Sequence, residues 1–62
     1  MRFNHFEVQN LIAEKGLTQT EFAQMAGLRR QSLSLILSRG TASLATIGKI
    51  AKALDVPVAS IR

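Results

Sequence analysis

Apolar residues recur along this chain at intervals of three and four, and polar breaks cut the pattern into short segments. Val8, Leu11 and Ile12 share one face of a helix predicted over about residues 6–15, with Phe3 or Phe6 extending the face and Glu7, Asn10 and Glu14 turned to water. Gly16 stops it. Thr18-Gln19-Thr20-Glu21 opens a second helix, 18–26. The spacing is that of a capping box, in which the Thr and Glu side chains each satisfy a free backbone N–H of the other. Phe22, Ala23 and Ala26 form its inner face, and so short a helix holds in water only when docked on neighbours. A third helix is predicted over 30–38, with Leu33, Ile36 and Leu37 on one face and Gln31, Ser34, Leu35 and Ser38 off it. A fourth covers 44–54, with Ser43 as N-cap and a stripe of Leu44, Ile47, Ile50, Ala51 and Leu54. Gly48 inside it costs about 1 kcal/mol relative to alanine, and close packing is the expected reason. A fifth, 57–61, places Pro57 in its first turn and folds Val58 and Ile61 back on the core. There is no alternating strand pattern and no Asn-Gly hairpin signal. The expectation is an all-α compact bundle of four to five short helices in one domain, residues 1–62.

The stretch Leu17–Leu37 is the most informative. A two-turn helix, a break at Gly27-Leu28-Arg29 and a second helix follow one another, with the small Ala23 four residues before the glycine. A small residue there lets the helices approach, and Leu28 and Leu33 are placed to fill the angle between them. This is helix-turn-helix spacing, although an interior helix pair of any small bundle would look similar.

Charge sharpens the picture. Eight Lys and Arg stand against four acids, for a net charge of +4. Between Phe22 and Leu54 lie Arg29, Arg30, Arg39, Lys49 and Lys52, and no acid. A one-signed field on a small domain suits a polyanion, and it equally suits simple solubility. Lys49 and Lys52 are explained by the dipole at the end of their helix. Arg29 and Arg30 are not, because adjacent cations at a helix N-terminus oppose the dipole by about 0.3–1 kcal/mol each. Neither has an acid beside it in sequence. A phosphate or a guanine edge would reverse the sign, since arginine binds both bidentately.

Composition excludes several classes. With no cysteine and one histidine, disulfides, thiolate metal sites and multi-histidine sites are ruled out. No nucleophile stands at a recognisable spacing from His5, and no phosphate loop or convergent carboxylate pair is present, so an enzyme is not expected and no cofactor is implied. The longest uncharged stretches, Gln31–Ser38 and Gly40–Gly48, fall short of the roughly 18 apolar residues of a membrane span. The opening MRFNHFE lacks the apolar run of a signal peptide, so a cytoplasmic protein is expected. His5 reads as a solvated residue, Met25 as a packing or surface residue, and Thr18 and Glu21 as capping groups.

LTQTEFAQMAGLRRQSLSLIL followed by SLATIGKIAKALDV resembles the lambda-repressor-like (Cro/repressor, XRE-type) helix-turn-helix family of bacterial and phage regulators. The resemblance covers about residues 8–58. It implies five helices, the second and third forming the DNA-reading unit. Gln19 matches the family glutamine that touches a phosphate; Arg30 and Gln31 match base-reading positions; Arg39, Gly40 and Thr41 match a backbone-contacting loop. The chain departs from the pattern where many members have a serine or threonine capping the third helix, because Arg29 stands there and guanidinium accepts no hydrogen bond. It departs again at Leu35, a position often polar and base-facing, and in a loop after Ser38 about one residue shorter than the common form.

The candidate base-contacting residues are therefore Arg29, Arg30, Gln31, Ser34 and Leu35, and the candidate phosphate contacts Gln19, Arg39 and Thr41. Gln31 suits an adenine edge or plain solvation; Leu35 suits a thymine methyl, a core position or a dimer contact. The function expected is sequence-specific binding of double-stranded DNA by a transcriptional regulator, a dimeric repressor or antitoxin-type autoregulator on a near-palindromic operator. A toxin or a sensor is a further partner open to such a protein, and a membrane is not. The alternative is a protein-interaction module that keeps the fold without reading DNA, to which the apolar run Leu33-Ser34-Leu35-Ile36-Leu37 lends some support.

Overall fold

The computed structural model describes all 62 residues. The chain forms α1 (His5–Glu14), α2 (Gln19–Ala26), α3 (Arg30–Arg39) and α4 (Leu44–Leu54), followed by one 3-10 turn, Val58–Ile61. It is the all-α helical bundle that the periodicity predicts. α2 packs on α3 and α4, α1 packs on α3, and the 3-10 turn closes the bundle against α1 and α4.

Local chemistry sets the helix starts. The Thr18 box forms as written: the Glu21 N–H donates to Thr18 Oγ1 at 3.1 Å, and the Thr18 N–H donates to Glu21 Oε1 at 3.0 Å. Ser43 caps α4, accepting from the Thr46 N–H at 3.2 Å. α1 starts at His5, earlier than the apolar pattern suggests, because Asn4 is a cap: its Oδ1 accepts from the Glu7 N–H at 3.0 Å. α3 alone among the α-helices has no side-chain cap, since Arg29 holds that position. At the other end of α2, Gly27 adopts φ 70°, and the Leu28 N–H reaches back to the Ala23 carbonyl at 2.8 Å. Glycine takes that left-handed conformation without the penalty a Cβ brings. α4 ends in the same way on Asp55, at φ 58° the one non-glycine residue with positive φ.

Thirteen apolar residues form the core, and no polar or charged residue is buried. Phe22, Leu33, Ile47, Ile50, Ile61 and Val8 are wholly enclosed. Several expectations need correction. The aromatic that extends the α1 face is Phe3, at 5% exposure, and not Phe6, at 70%. Leu44 lies a turn before Ile47 yet is 60% exposed, so the buried face of α4 begins at Ile47 and not at Leu44. Gly48 is not a close-packing device: a Cβ built there meets nothing within 4 Å. Pro57 sits at the cap of the 3-10 turn and not within it.

The amino-terminal segment is anchored on both sides. Arg2 forms an isolated antiparallel bridge with Thr41. The Phe3 N–H donates to the Gly40 carbonyl at 3.1 Å, and the Ala42 N–H donates to the Met1 carbonyl at 3.0 Å. The Asn4 N–H donates to the Ile61 carbonyl at 2.6 Å. His5 is accordingly not a solvated residue. Its ring lies over Gly40 and stacks against Phe6 at a centroid distance of 4.2 Å, and its Nδ1 is buried without a partner.

Candidate nucleic-acid interface

The position of α3 follows from what is buried beneath it. Ala23 and Leu33 are enclosed, Leu28 is half-buried between them, and Gly27 turns the chain. Burial of Leu33 and Leu37, with Ile36 at the margin, rotates Arg30, Gln31, Ser34, Leu35 and Ser38 outward. A helix packed on one face presents the other as a continuous strip, since residues three and four apart are surface neighbours.

That strip carries two shallow grooves. Arg30, Gln31, Ser34 and Leu35 line the first. The second runs from Leu28 past Ser32 and Leu35 to Arg39, Thr41 and Thr46. Leu35, 54% exposed, stands between them and belongs to both, so it is not a core residue. Six of the eight sequence-derived site residues thus lie along one continuous surface. The remaining two stand apart: Arg29 is exposed but lines neither groove, and Gln19 borders a separate hollow with Leu17 and Leu37 at the start of α2. Sequence reasoning missed Ser32 and Thr46. Ser32 was legible, because it shares a helix face with Leu35 and Arg39. Thr46 was not, because only tertiary packing brings the start of α4 beside α3.

The electrostatics of this surface are one-signed. Arg29, Arg30 and Arg39 are exposed; four of the five side-chain hydrogen bonds of the chain cap helix starts, the fifth joins the Ser43 and Thr46 hydroxyls, and none involves an arginine. The acids lie elsewhere: Glu7 and Glu14 on α1, Asp55 at the end of α4, and Glu21 engaged in its own capping box. With no side-chain cap, the first N–H groups of α3 also point to solvent, adding the positive end of the helix dipole to the cations. Such a surface is suited to anions and has donors for phosphate oxygens and base edges.

A short helix, a glycine turn and a second helix whose outer face is cationic and free of acids define a helix-turn-helix domain. The profile of the helix-turn-helix family matches residues 8–61, and the chain belongs to its lambda-repressor-like, XRE-type branch. This is a family of DNA-binding regulators, not typically enzymes. No curated protein matches the chain. No helix is long and apolar enough to cross a membrane.

Proposed function

We propose that the protein is a cytoplasmic, sequence-specific regulator of transcription that inserts α3 in the major groove of double-stranded DNA. One observation supports this most: the outer face of α3 carries free cations at an uncapped N-terminus, an arrangement that weakens the isolated protein and suits a polyanion. Arg30, Gln31, Ser34 and Leu35 read base edges, Arg30 by a bidentate pair to guanine and Leu35 by contact with a thymine methyl. Arg29 joins them at the groove edge. Gln19, Arg39 and Thr41 hold backbone phosphates on either side and fix the register. The protein acts as a homodimer on a near-palindromic operator, in the role of a repressor or an antitoxin-type autoregulator. The run of polar and cationic residues around Leu35 favours this reading over a protein-docking face.

Duplex binding measured against salt tests the proposal. Affinity falls steeply as salt rises, because bound phosphates release their counterions. Arg30→Ala costs about 1–3 kcal/mol and relaxes base preference at one position. A salt-independent affinity removes the DNA reading; an Arg30→Ala variant with full affinity and full preference removes the assignment of Arg30.

A further inference from the structure

Resting on the DNA-binding reading above, we propose that Arg2 is an additional phosphate-binding residue, paired with Arg39 across the bridge between the amino-terminal segment and the α3–α4 loop. Side chains alternate in direction along an extended segment. Phe3 is buried and Arg2 is exposed, so the anchoring of one projects the other. The bridge sets Arg2 opposite Thr41, two residues beyond Arg39 at the end of α3. Arg2 and Arg39 consequently line one hollow, together with Asn4, His5 and Thr41, and no carboxylate lines it. Residues from distant parts of the chain are thereby held as neighbouring like charges. Two cations on one hollow that no carboxylate lines suit an anion as ligand. Arg39 and Thr41 also line the groove that runs up α3. An anion held by the arginine pair is therefore in register with a strand lying along that groove. The ligand is a backbone phosphate of the same duplex, bound through guanidinium forks. The hydrogen bonds that hold the segment are backbone bonds, so the Arg2 side chain is free for this contact.

The test compares Arg2→Gln and Arg2→Lys with the wild-type chain on a selected duplex and on a random duplex, over a salt series. Loss of one phosphate contact lowers the slope of log affinity against log salt by about 0.9, so a fourfold rise in salt costs Arg2→Gln about 3.5-fold less affinity than it costs the wild type. Arg2→Gln weakens binding to both duplexes by the same factor, Arg2→Lys keeps the wild-type slope, and thermal unfolding is unchanged in both. An Arg2→Gln chain with wild-type slope and affinity overturns the proposal while leaving the DNA reading intact. A loss confined to the selected duplex also overturns it, since that is the mark of base reading. Salt-independent binding by the wild type overturns both.

Discussion

A Cβ built on Gly40 would lie 2.6 Å from His5 Cδ2, whereas one built on Gly27 meets nothing within 4 Å. Both glycines have φ near 70°. The two positions therefore separate conformational cost from steric cost. Gly27→Ala pays only the left-handed backbone penalty, roughly 1–2 kcal/mol. Gly40→Ala adds the displacement of the His5 ring, and through it disturbs the stack on Phe6. In urea unfolding, Gly40→Ala is expected to cost about 1 kcal/mol more than Gly27→Ala, and the excess disappears in a His5→Ala background, as coupling between touching residues requires. Equal costs in the wild-type background would show that the ring does not press on the glycine. The single histidine is thus a packing residue over the loop. A sequence reading misses that, because the contact is made only when the amino-terminal segment folds back on the end of α3.

Among the helices, α4 offers the plainest gain. Gly48 lies in its interior with open space above it, so Gly48→Ala replaces a flexible residue by the best helix former at no steric cost. Thermal unfolding should rise by about 4–8 °C, the shift that 1 kcal/mol produces in a domain this small; an unchanged or lowered midpoint would show that the glycine has a packing role after all. Helix starts were legible wherever a side chain caps them, as at Thr18 and Ser43. Asn4 was legible too, since Asn4 and Glu7 stand at the same spacing as Thr18 and Glu21, but the apolar stripe alone places the helix start at Phe6. Asp55 in a left-handed conformation was not legible, because glycine is the usual signal for such an end. The site divides in the same way. The outward strip of α3 follows from its period, because burying Leu33 and Leu37 leaves only one way for Arg30, Gln31, Ser34 and Leu35 to face. The parts supplied by Thr46 and Arg2 depend on how the α3–α4 loop and the amino-terminal segment fold back beside α3, which periodicity does not encode.

At the scale of the molecule, size limits what one copy can read. The Cα framework measures 24 × 21 × 18 Å, and α3 has ten residues, about 15 Å of helix. If α3 reads DNA as proposed, one such helix reaches a few base pairs, and useful specificity then calls for a second copy. Selection of bound sequences from a random duplex pool is expected to return two inverted half-sites whose centres are one helical turn apart, about 34 Å, or a multiple of that. Recovery of isolated single half-sites would count against the homodimer. The hydrogen bond from the Asn4 N–H to the Ile61 carbonyl has a different consequence. It lays the two extremities of the fold side by side, so the path of the backbone is nearly a closed ring. A short linker joining the extremities, with the chain reopened at the exposed Lys15–Gly16 turn, would give a circular permutant in which α2, α3 and α4 remain contiguous and the outward strip of α3 is untouched.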